Sequence, residues 1–137
     1  MKKILGFGLL VCLLTIQMPS IISTAMGAPS LRVIINSPNY AYIGSSFTIQ
    51  VIGYNTGDRV LKNGEVGLRL SGVRYTENSL DYSEYFSTLG PGGSAFFVKT
   101  IVTTGGGRLY IEAFIFGETL YEGQYVEART TKSVMSG

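Results

Sequence analysis

The densest run of chemically capable side chains lies between Arg74 and Phe86, where Arg74, Tyr75, Glu77, Asn78, Asp81, Tyr82, Glu84 and Tyr85 fall within a few residues of one another. Tyrosine offers a flat apolar ring with a polar tip, and arginine a planar fork of donors, a combination suited to sugar or protein surfaces. Arg74, Tyr75, Asp81, Tyr82 and Tyr85 are therefore the candidate ligand-binding set. The carboxylates allow two other chemistries. Glu77, Asp81 and Glu84 are hard oxygen donors of the kind Ca²⁺ accepts, although their spacing matches no calcium loop. Two acids held about 5–10 Å apart could also act as acid and base in glycoside hydrolysis. The plainer reading is a polar loop with solvated acids and tyrosines that are ordinary strand residues.

Catalysis that relies on histidine or on a cysteine of the domain is excluded by composition. The chain has no His, and its one cysteine, Cys12, sits in an apolar run near the N-terminus, so no Ser-His-Asp or Cys-His site can be built. Gly90-Pro-Gly-Gly93 and Gly105-Gly-Gly107 lack the Lys-Ser/Thr and the following helix of a phosphate-binding loop, and read as hairpin turns. Asn36-Ser-Pro and Asn55-Thr-Gly fail as glycosylation sequons at their third position. No catalytic residue, cofactor or enzymatic activity is expected.

The address is legible at the N-terminus. Met1-Lys2-Lys3 is a short positive region, Ile4 to Ile16 is apolar, and small residues at Ala25 and Gly27 suit cleavage before Ala28, with cleavage before Met26 as a second choice. Residues 4–26 carry no charge and are also about as long as the roughly 20 residues of a spanning helix, so an uncleaved anchor is the rival reading. Both place residues 28–137 outside the cytoplasm, in the extracellular space or on the cell surface. Leu9-Leu10-Val11 lacks the small residue expected before a lipidated cysteine. Lys2 and Lys3 are two of eleven basic residues, so the nine that remain beyond the leader balance nine acidic ones. A neutral domain with scattered basic residues gives nucleic-acid binding no electrostatic support.

The elements that position these residues read as strands. Eighteen Gly, nine Tyr and seven Phe without His or Trp fit short aromatic strands joined by tight turns. Phe47, Ile49 and Val51 alternate with Ser46, Thr48 and Gln50, and Asn55-Thr-Gly-Asp58 then reverses the chain. Leu31–Ile35 precedes this strand, ending before Pro38. Lys62-Asn63-Gly64 reads as a turn, Val66, Leu68 and Leu70 as one face of a strand, and Val73–Tyr75 as a short edge strand. Residues 76–84 have no clean period and are expected to form the longest loop. Tyr85–Leu89, Ser94–Val102, Arg108–Phe116 and Gln124–Thr130 follow as strands, with Phe96, Val98 and Val102 on one face of their strand and Phe97 and Ile101 on the other, so that the second face is expected to be partly covered as well as the first. Residues 132–137 read as a frayed tail. The sum is an all-β, single antiparallel immunoglobulin-like sandwich of about seven strands, residues 28–137, preceded by an N-terminal apolar signal or anchor helix, residues 1–27.

The order of motifs carries a resemblance. A strand ending in Ile52-Gly-Tyr-Asn-Thr-Gly57, then Val66-Gly-Leu-Arg-Leu70, then Thr88-Leu-Gly-Pro-Gly-Gly-Ser94 before an aromatic strand resembles the CARDB-like and related cell-surface immunoglobulin-like domains over residues 31–130. The resemblance implies an exported, non-catalytic module for adhesion, spacing or assembly. Its expected partners are other cell-surface or envelope proteins, a second copy, or a glycan at the Arg74–Phe86 stretch, with membrane contact only through the N-terminal segment. Leu31–Ile35 and Gln124–Thr130 are the candidate sheet edges for assembly, and Arg32 is the one charge in the first of them.

Overall fold

A computed structural model of the chain describes residues 28–137; the apolar leader, its cleavage sites and Cys12 lie outside the described residues. The chain runs through nine strands: β1 (Leu31–Asn36), β2 (Tyr40–Ala41), β3 (Ser46–Asn55), β4 (Leu61–Gly72), β5 (Tyr75–Glu77), β6 (Ser83–Leu89), β7 (Ser94–Thr103), β8 (Gly107–Thr119) and β9 (Tyr125–Ser136). They form two sheets, a five-stranded one ordered β2-β9-β8-β4-β6 and a four-stranded one ordered β1-β3-β7-β5. The pairing is antiparallel except where β9 meets β2, Met135 opposite Tyr40 and Ser136 opposite Ala41. No helix occurs among the described residues.

Alternation places the core between the sheets. Val33, Ile49, Val51, Phe97 and Ile101 from the four-stranded sheet face Leu61, Val66, Leu68, Leu109, Ile111, Ile115 and Val134 from the other, all buried. The two turn motifs of the sequence are tied to one another. Asn55 is buried, its Nδ2 donates to the carbonyls of Arg59 (2.8 Å) and Leu89 (2.9 Å), and its Oδ1 accepts the Gly57 N–H at 3.1 Å. The backbone of Asn55 closes the link, its N–H donating to Gly93 and its carbonyl accepting from Gly92. One asparagine thus satisfies three backbone groups that would otherwise be orphaned at the end of the sandwich.

Four local expectations are corrected. Lys62-Asn63-Gly64 is not a turn but an irregularity inside the long strand β4, with Asn63 at φ 52° and the register shifting between Lys62 and Glu65. Gly64 is required there because a side chain would run into the Phe116 carbonyl and the Phe86 ring. The short edge strand is Tyr75–Glu77 rather than 73–75, and β6 begins at Ser83, so the loop between them shrinks to residues 78–82. On β7 the buried register is Phe97, Lys99, Ile101 and Thr103, while Phe96 and Val98 face outward and are exposed.

The fourth correction is the C-terminus. Residues 132–136 complete β9, with Val134 fully buried and the buried Ser136 hydroxyl donating to the Gly105 carbonyl (2.9 Å) while accepting from the Thr103 hydroxyl (2.8 Å). Burial alternates over its last three residues, Val134 and Ser136 inward and Met135 outward, and β2 buttresses the last two positions. Deleting residues 133–137 is expected to lower stability by about 3 kcal/mol, the sum of one buried valine and the lost hydrogen bonds. The check is the thermal midpoint, which should fall by roughly 10–20 °C for a domain of this size.

Candidate functional site

The Arg74–Phe86 stretch is organised by a residue outside it. Lys99 lies in the inward register of β7 and is 1% exposed, as buried as the leucines around it. A bare ammonium in that position is costly, so its donors must be met. Its Nζ donates to the carbonyls of Ser79 (2.6 Å) and Asp81 (2.9 Å). It also sits 4.1 Å from the centroid of the Tyr82 ring and 2.7 Å from Glu77 Oε1. That carboxylate oxygen is buried and off the direction of a hydrogen bond, so its contact with Lys99 is that of an ion pair.

The tyrosines extend the cluster. Tyr82 donates its one hydroxyl proton to Glu77 Oε2 at 2.9 Å, and Tyr75 in turn donates to the Tyr82 oxygen at 3.0 Å. The Lys99 ammonium, followed by the Tyr82 hydroxyl, holds the Glu77 carboxyl below the usual carboxylate range. Hydrogen bonds from Tyr75 and to Glu77, with burial, push the Tyr82 phenol well above its ordinary value. Both rings pack against the core.

Of the candidate ligand-binding residues, Tyr75 and Tyr82 are therefore brought together, with their hydroxyls engaged within the protein. Asp81 is exposed, its N–H accepted by Ser79 Oγ and its carbonyl given to Lys99. Tyr85 lies on the outer face of β6, 59% exposed, donating to Asn63 Oδ1 at 2.9 Å. Arg74 is exposed and forms no ion pair among the described residues. Among the candidate calcium ligands, Glu77 is neutralised by Lys99, and no group of three or more Asp, Glu, His or Cys side chains able to hold a metal occurs among the described residues. Lys99 itself escapes a reading by composition, although its parity with Phe97 and Ile101 is the signal that places it inside.

No protein-family model matches the chain, and no curated protein matches it in sequence. Solved structures do match. A CARDB domain from Pyrococcus furiosus superposes with a TM-score of 0.59 at 20% identity, covering 81% of this chain and 97% of that one. A crystal structure of the same domain, in complex with two metal ions, gives 0.59 at 19% identity over 80% of this chain and 89% of that one. The native alpha-2-macroglobulin of Escherichia coli, from domain MG7 to the C-terminus, gives 0.63 at 20% identity over 82% of this chain, which spans 17% of that structure. The fold is that of CARDB-like, immunoglobulin-like sandwich domains.

The cluster has a pH signature. Because the Glu77 carboxyl is lowered in the folded protein, its contribution is present above the unfolded value of about 4.3 and is lost as pH falls below it. Because the Tyr82 phenol is raised, its contribution is whole below about pH 10 and declines from there as pH climbs toward the folded value, since the unfolded phenol ionises first. Denaturant midpoints measured from pH 3 to 11 should form a plateau with two shoulders. Glu77→Gln should flatten the acid shoulder and Tyr82→Phe the alkaline one. The exposed Glu127, lowered by Tyr125 and Arg129, should matter less, because solvent screens it.

Proposed function

We propose that this chain is an exported, non-catalytic module of the cell surface that contacts envelope proteins or further copies of itself through a sheet edge. The observation that carries the reading is the free side of β1. Ser30 accepts the N–H groups of Thr56 and Gly57, and β1 pairs with β3 from Leu31 opposite Asn55 to Asn36 opposite Gln50. Alternation along the strand then turns the backbone groups of Leu31, Val33 and Ile35 away from β3, where no strand pairs with them among the described residues. The edge has no proline, no bulge and one charge, Arg32; β9 runs close beside it without pairing, and Lys132 bonds to the Ser37 carbonyl just past its end. The sandwich fold shared with CARDB domains supports the same reading, since such a fold supplies edges and loops rather than a catalytic cleft.

The last strand is a weaker candidate edge, because β2 caps its end at Met135 and Ser136 and Lys132 Nζ donates to the Ser37 carbonyl at 2.6 Å. A glycan at the tyrosine stretch is the alternative reading, and Tyr85 is the ring left open to it.

Light scattering over a concentration series tests the proposal. Association is expected, and Ile35→Pro should weaken it at least tenfold, because proline removes the outward N–H while leaving the β3 side of the ladder intact. Ile35→Val is the matched control. A monomer at every concentration contradicts self-assembly, and a proline variant that associates like wild type contradicts the β1 edge.

A further inference from the structure

The opposite side of the same sheet is also incomplete, for a different reason. β5 pairs with only the last three residues of β7, Tyr75–Glu77 opposite Ile101–Thr103. Bonded steps at either end extend the ladder: the Thr104 N–H donates to Arg74 at 2.9 Å, the Asn78 N–H donates to Thr100 at 3.2 Å, and Asn78 Oδ1 accepts the Thr100 N–H at 3.3 Å. Backbone groups at even-numbered positions of β7 therefore point toward β5, and those of Phe96 and Val98 point the same way. Beyond Asn78 the chain leaves the sheet, and neither residue has a strand partner on that side among the described residues.

The departure is caused by Lys99. Its ammonium takes the Ser79 and Asp81 carbonyls, so residues 79–82 turn inward over the edge of the sandwich and continue into β6 of the other sheet. What remains is a groove of about 320 Å³ with Asp81 and Glu84 on one wall and the strand edge at Phe96 and Val98 on the other. Phe96 is 58% and Val98 43% exposed, and neither Asp81 nor Glu84 is ion-paired among the described residues. The nearest cation, Lys99, is already neutralised by Glu77.

We propose that this half-open edge of β7 binds an extended peptide of a partner protein whose residues alternate apolar, basic, apolar. The peptide continues the line of β5 across Val98 and Phe96, bonding to the N–H and carbonyl of each. Its two apolar side chains then lie on the outer face of the sheet beside Phe96 and Val98, and the basic one between them turns toward Asp81 and Glu84. Backbone bonds supply affinity and the carboxylates supply selection. This site is distinct from the β1 edge, and its test does not depend on self-association.

The probe is a fluorescent, end-capped Thr-Val-Lys-Val-Thr peptide, titrated by anisotropy against the full chain in mild detergent. Saturable binding is expected, weakened at least tenfold when lysine is replaced by glutamate in the peptide. It should be weakened similarly when the peptide nitrogens facing β7 are methylated, a change that leaves the protein untouched. Asp81→Asn with Glu84→Gln should remove the preference for lysine while retaining binding of the neutral Thr-Val-Gln-Val-Thr peptide. Absence of binding at millimolar peptide, equal binding of the glutamate peptide, or indifference to methylation overturns the proposal. Binding that disappears as the chain self-associates assigns the groove to a second copy and overturns it likewise.

Discussion

The fold's departure from a plain sandwich depends on one buried charge. A lysine in the inward register of β7 must find oxygen ligands within the protein, and it finds them in Glu77 at the end of β5 and in the segment that follows. Two carbonyls and a carboxylate meet the ammonium, and the Tyr82 ring covers it. Such a cluster stabilises little relative to a well-packed apolar replacement, but removing one partner from it is damaging. Its consequence is positional. It ends β5 after three residues, fixes where residues 78–82 run, and leaves part of β7 without a neighbour.

The two outer faces of the sandwich differ in a way that follows from the same economy of charge. On the five-stranded sheet, Glu112 lies between Arg69 (3.4 Å) and Arg129 (3.5 Å), and Arg129 also meets Glu127 at 2.6 Å. Phe114 stacks on Phe116 and Phe116 on Tyr125, with Arg69 over the Phe114 ring, so this face covers its own apolar surface. On the four-stranded sheet, Ile34, Ile52 and Phe96 stand in one row across three strands, and Arg32 is the one charged side chain on the outer register of β1, β3 and β7. A face with a single charge and an open edge on either side suits contact with other chains better than a face laced with ion pairs.

Much of this was legible in the sequence where period and turn chemistry act alone. The alternation of Phe47, Ile49 and Val51, the Asn55 and Gly90-Pro-Gly-Gly93 turns, and the free first strand all follow from local rules, and the motif order led to the CARDB-like fold. What local rules miss is tertiary. Asn63-Gly64 has the chemistry of a hairpin turn, yet the close approach of Phe116 and Phe86 makes it a bulge within β4. The last residues look polar enough to fray, yet Val134 and Ser136 alternate into the core. Of the three tyrosines in the candidate stretch, Tyr75 and Tyr82 meet at Glu77 while Tyr85 lies apart against Asn63, and the lysine beside the first two is distant in sequence. A buried lysine is rare enough that composition argues against it. Only the parity of Lys99 with Phe97 and Ile101 speaks for it.

The central claim is that Lys99 pins residues 78–82 and thereby leaves the β7 edge open. Hydrogen exchange of backbone amides in wild type and in Lys99→Met measures this directly, because methionine keeps the length and packing of the side chain and removes only the charge. The account predicts that Leu68, whose N–H donates to the Tyr82 carbonyl, and the amides of Asn78 and Asp81 lose protection by at least tenfold. Core amides of β8 should change far less in the same experiment. Unchanged protection at those three amides, or a uniform loss across the whole sandwich, would contradict it.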